Sequence, residues 1–100
     1  MRNIVLICAA GMSTSLLVNK MKAAAAEEGY ECSINAYALS EVPNVVPAAD
    51  IVLLGPQVRF NQKKIAERYP DKIVESIDMR MYGTMNGKGV IDFAKTKLGD

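Results

Sequence analysis

A chain of 100 residues that is 50% apolar and 23% charged has the composition of a folded globular protein and the length for one modest core. It contains no histidine and no tryptophan, which excludes histidine general bases, Ser-His-Asp and Cys-His nucleophile pairs and histidine-ligated metals from its own chemistry. Twelve basic residues against eleven acidic ones leave a formal charge of +1 with no basic cluster, so nucleic acid is not an expected partner. Residues 1–100 are read as one domain.

Asn3 to Cys8 is a continuous apolar run rich in branched residues, the pattern of a strand buried on both faces in a parallel sheet. From Ile4 to Cys8 it is too short for a signal sequence, which needs an apolar core of roughly 7 to 15 residues, and no stretch approaches the ~20 of a membrane span. A soluble protein of a reducing compartment is expected. Small residues from Ala9 to Ser13 break the run. A helix follows from about Ser13, with Leu17, Met21 and Ala24 or Ala25 on one stripe and Gly29 as its stop.

Glu31 to Ala38 alternates as a second strand, with Cys32, Ile34 and Ala36 on one side and Ser33, Asn35 and Tyr37 on the other. Pro43 and Pro47 make the next segment a brief, irregular helix or loop. Asp50 to Leu54 is a third strand ended by Gly55-Pro56, and Arg59 to Tyr69 a helix stopped by Pro70. Lys72 to Ile77 is a fourth strand, and Val90, Phe93, Ala94 and Leu98 share one stripe of a last helix. Gly83 to Gly89 reads as the turn before that helix. A phosphate-binding Walker loop is excluded there, because only three residues separate Gly83 from Gly87 and no Ser or Thr follows Lys88.

Strands alternating with helices imply an open parallel sheet with right-handed crossovers and helices on both faces. We assign the strand order 2-1-3-4. The connections reverse direction between strands 1 and 3, and ligands bind in the crevice outside the carboxyl ends at such a point. Cys8 ends strand 1 and Gly55, Pro56 and Gln57 follow strand 3, so both border that crevice.

The segment Cys8-Ala9-Ala10-Gly11-Met12-Ser13-Thr14-Ser15 places a thiol at a strand end, then a small-residue turn, then the first turn of a helix. Backbone N–H groups in such a turn converge on one point, the helix N-terminus adds roughly half a positive charge, and three hydroxyls can donate further hydrogen bonds. That field favours a thiolate and would cradle a phosphoryl group on the sulfur. The plain alternative is an inert core cysteine followed by ordinary capping serines. Seven small or uncharged residues directly after the thiol favour the anion cradle.

Cys32 is read as a core residue. Parallel strands put it about 15 Å along the sheet from Cys8, too far for a disulfide, and two cysteines cannot make a four-ligand metal site. Neither a metal nor a cofactor is expected. Met79, Met81 and Met85 are read first as core filling and second as a docking rim, Lys63-Lys64 as a solvated helix face, and Asp78 as a helix cap.

These residues resemble a known family, the IIB components of the bacterial sugar phosphotransferase system of the lactose/cellobiose class. Residues 4–18, IVLICAAGMSTSLLV, are similar to its phosphorylation loop, residues 51–58, IVLLGPQV, to its third strand and turn, and residues 82–87, YGTMNG, to its last turn. The wording Ala-Ala-Gly-Met-Ser-Thr-Ser is closer to the cellobiose and chitobiose branch. The resemblance implies a flavodoxin-like sheet, similar to that of low-molecular-weight tyrosine phosphatases. It implies that Cys8 accepts a phosphoryl group from a histidine of a IIA protein and passes it to a sugar, cellobiose or another β-linked disaccharide, entering through a membrane IIC protein. A chain without histidine must take its donor histidine from such a partner.

Two alternatives stand beside the relay. The phosphatases share the loop geometry, with the pattern Cys-x5-Arg-Ser, but Thr14 stands here at the position of the arginine and no Asp-Pro pair supplies a general acid. A flavodoxin-like binding module would not need a loop that opens with a nucleophile.

Overall fold

The computed structural model describes residues 1–9 and 12–100, without the side chains of Met12, Ser13 and Thr14. Expectations that fall on Ala10, Gly11 and those three side chains lie outside the described residues.

Four strands, β1 (Arg2–Cys8), β2 (Cys32–Ala38), β3 (Ile51–Leu54) and β4 (Ile73–Ser76), pair in parallel in the order β2-β1-β3-β4. The assigned order is the observed one. The helices are α1 (Met12–Glu27), α2 (Val42–Val45), α3 (Gln62–Arg68), α4 (Met79–Gly83) and α5 (Gly87–Leu98).

The unbroken apolar run of β1 has its cause in two cores. Ile4 and Leu6 face one cluster, with Leu17 and Met21 of α1 and Val90, Ile91 and Ala94 of α5. Val5 and Ile7 face the other, with Val42, Val46, Val58 and Ile65. Strand β3 divides its residues the same way, Ile51 and Leu53 to the first core and Val52 and Leu54 to the second. Each such side chain contributes about 1.5–3 kcal/mol by leaving water, so the central strands are fixed from both sides. Gly29, with φ 65°, follows α1, and Gly99, with φ 79°, caps α5 in the left-handed conformation that glycine adopts without a Cβ penalty.

Four details differ from the sequence reading. The expected helix from Arg59 begins instead as a 3-10 segment, Pro56–Asn61, and becomes α-helical only at Gln62. Gln62 is held there by β4: its Nε2 donates to the Val74 carbonyl and its Oε1 accepts from Ser76 Oγ. A short helix, α4, forms in a stretch where no helix was assigned, although Asp78 was read as a helix cap and is one: its Oδ1 accepts from the N–H groups of Arg80 and Met81. The last helix already includes Gly87 and Gly89, with Asn86 capping it through the Gly89 N–H. Cys32 is half-buried at the margin of the first core rather than within it.

Candidate functional site

Cys8 is the last residue of the central strand β1 and lies opposite Ala38 of β2. On its other side Ile7 pairs with Leu54, and the N–H of Gly55 donates to the Ile7 carbonyl at 2.8 Å, carrying the contact with β3 one residue past the strand. A Cβ on Gly55 would stand 3.6 Å from Cys8 Cβ and 3.0 Å from Gln57 Oε1. The absent side chain lets this turn close on the cysteine with Gln57 folded back beside it. Gly55 is therefore brought to Cys8, with Pro56 and Gln57 following in the same turn.

Cys8 is only 2% exposed, and its Sγ lies 3.8 Å from the Tyr37 carbonyl, to which the thiol donates. Tyr37 was not a candidate in the sequence, since a backbone carbonyl leaves no residue-type signal. The helix that follows the loop opens at Met12 and has no acidic residue in its first turn, so nothing there cancels the partial positive charge of its N-terminus. Of the loop residues read as phosphate-binding, Ala9 and Ser15 are exposed. Cys32 pairs with Arg2 at the opposite end of the sheet and no disulfide joins it to Cys8, in agreement with the expected separation.

Beyond Gln57 the 3-10 segment carries Arg59 and Phe60. The Arg59 guanidinium lies 5.1 Å from the Phe60 ring centroid, and Nη1 donates to Met79 Sδ at 3.4 Å. Of the three methionines, Met81 and Met85 pack on the first core and Met79 is exposed at this rim. Reading Arg59 to Tyr69 as one helix hid Phe60. The one available signal was Pro56, which opens a separate segment: Val58 in it and Ile65 in α3 are buried in the second core, whereas Phe60 is exposed. Lys63 and Lys64 are exposed on α3.

The position of the thiol at the carboxyl end of a central parallel strand does not by itself separate a relay from a phosphatase, since both use such a cysteine. The comparisons with known proteins decide the family. The sequence profile of the lactose/cellobiose-specific IIB subunit of the phosphotransferase system matches residues 3–93. The chain belongs to this family. The galactose-specific EIIB component of Lactococcus lactis subsp. cremoris is 42% identical over 102 residues, covering 95% of this chain and 94% of the relative. The cellobiose-specific EIIB component of Lactococcus lactis subsp. lactis is 41% identical with the same coverage. The solution structure of a cellobiose-specific IIB component from Borrelia burgdorferi superposes with a TM-score of 0.81 at 40% identity, covering 98% of this chain and 92% of that one.

The chain is thus a IIB phosphotransferase that relays phosphoryl groups in sugar uptake and works with IIA and IIC partners. The phosphatase and binding-module alternatives fall away. No helix among the described residues is long and apolar enough to cross a membrane.

Proposed function

We propose that Cys8 is the phosphoryl carrier of this relay. Its thiolate attacks the phosphorus of a phosphohistidine on IIA; the S–P bond forms as the N–P bond breaks, and the electron pair returns to the imidazole nitrogen. A sugar hydroxyl then attacks the same phosphorus. The S–P bond breaks, the thiolate is regenerated and the hydroxyl proton leaves to solvent.

Backbone N–H groups between Ala9 and Ser15 hold the phosphoryl oxygens, and Gly55, Pro56 and Gln57 frame the approach of the partner. The observation that carries this reading is the position of Cys8: the end of the central strand, against the Gly55 turn and before an acid-free helix start.

The sugar is a β-linked disaccharide of the cellobiose type. The relatives named for galactose and for cellobiose are nearly equal in identity, so this choice rests on the loop wording Ala9-Ala10-Gly11-Met12-Ser13-Thr14-Ser15. The chain acts as one domain, residues 1–100, on the cytoplasmic side of the membrane next to IIC. The test is intact mass after incubation with phosphoenolpyruvate, the general phosphotransfer proteins and a IIA of this class. Gain of one phosphate supports the reading; an unchanged mass with an active IIA, or release of phosphate from p-nitrophenyl phosphate, contradicts it.

A further inference from the structure

Among the described residues the exposed large apolar side chains, apart from Met1, are Leu16, Leu39, Phe60 and Met79. Each comes soon after the carboxyl end of a strand: Leu16 early in α1 after β1, Leu39 directly after β2, Phe60 after β3 and Met79 after β4. A parallel sheet gathers all four at one end of the molecule, the end that holds Cys8. Phe60 and Met79 are the most exposed, at 82% and 63%, and they hold Arg59 between a ring face and a thioether.

Neither of those contacts supplies a negative charge. The ion pairs among the described residues engage Arg2, Lys88, Lys95 and Lys97, and none includes Arg59. Asp78, the residue before Met79, caps α4 through Oδ1 and forms no ion pair with Arg59. A groove of about 350 Å³ between Pro56, Gln57, Arg59, Phe60, Met79 and Tyr82 opens beside the same turn that touches Cys8. A guanidinium fixed in its plane and lacking a carboxylate is matched to an oxyanion arriving from outside.

The charged IIA donor differs from its spent form by one phosphoryl group, which brings about two negative charges. We infer that Arg59, Phe60 and Met79 are the docking patch for IIA, and that Arg59 makes the chain prefer the phosphorylated donor over the spent one. This rests on Cys8 as the acceptor. The apolar pair contacts both forms of IIA alike, whereas Arg59 adds attraction only while the phosphoryl group is on the donor. Transfer moves that charge to the IIB side, so the spent donor leaves more readily.

The experiment uses the Cys8→Ser protein, which holds the donor without accepting from it, titrated with phosphorylated and unphosphorylated IIA, with amide spectra to confirm the fold. The phosphorylated form should bind about fivefold more tightly. Arg59→Gln in that background should bring the two Kd values together, Arg59→Lys should keep part of the difference, and Phe60→Ser should weaken both forms equally. Equal binding of the two forms before Arg59 is changed, or a preference that survives Arg59→Gln, would overturn the inference. Intact mass of the same samples separates a different failure: phosphate gained by the Cys8→Ser protein would overturn the acceptor assignment, and this inference with it.

Discussion

Gly87 lies on the backbone of Lys20. A Cβ added at Gly87 would come within 2.6 Å of the Lys20 carbonyl oxygen and of the Met21 nitrogen, so α5 crosses α1 at main-chain contact. Neither atom can move aside, because both belong to a helix whose Met21 side chain is fully buried. Gly87→Ala should cost about 1–3 kcal/mol through overpacking. Gly83→Ala, where a Cβ meets nothing within 4 Å, should be nearly neutral. Denaturant midpoints of the two variants test this, and equal midpoints would contradict the close crossing.

Arg2, Tyr30 and Asp100 form a second tie between distant parts of the chain. Arg2 donates to both carboxylate oxygens of Asp100, and the Tyr30 hydroxyl donates to Oδ2. The hydrogen bond from Arg2, then that from Tyr30, hold the Asp100 carboxyl down at about 2. A carboxyl lowered in the folded state stabilises it above the ordinary value near 4 and loses that contribution as pH falls toward 2. Asp100→Asn should therefore flatten the dependence of Tm on pH between about 4 and 2. An unchanged acid slope in the variant would show that the tie does not contribute.

The central strand was legible because burial on both faces leaves an unbroken apolar run, Ile4 to Cys8, that a surface strand would not tolerate. The strand order followed, and with it the meeting of Cys8 with Gly55. Gly87 was not legible. A glycine required by the approach of a second helix looks, in sequence, like a glycine in a turn, and the partner backbone is 66 residues away in the chain if counted from Met21. Phe60 was obscured for a related reason: Pro56 opens a 3-10 segment whose phase differs from that of the α-helix behind it.

Thr14 stands where the phosphatase pattern has arginine, and hydrolysis of a phosphocysteine needs charge stabilisation on the equatorial oxygens together with an activated water. Thr14→Arg should shorten the lifetime of the isolated phosphorylated protein, though only in part, since no general acid accompanies it. The decay of wild type, Thr14→Arg and Thr14→Ala at fixed pH measures this. A folded Arg variant with an unchanged or longer lifetime would refute the idea that the missing guanidinium keeps the relay from acting as a phosphatase.

Cys32 lies at the far end of the sheet from Cys8, half-buried, and burial pushes its thiol up from the ordinary range. Cys32→Ser should lower stability by about 1 kcal/mol or less and leave phosphoryl acceptance unchanged. Loss of acceptance in the folded variant would mean that the chemistry is not confined to the Gly55 end of β1.

The most direct measurement is the location of the phosphate after transfer from phosphorylated IIA, read by peptide mass mapping under conditions that preserve the S–P bond. The prediction is one phosphate on the peptide containing Cys8 in the wild-type and Cys32→Ser proteins, and none on folded Cys8→Ser. Phosphate on any other peptide, or acceptance by Cys8→Ser at the wild-type rate, would contradict Cys8 as the carrier.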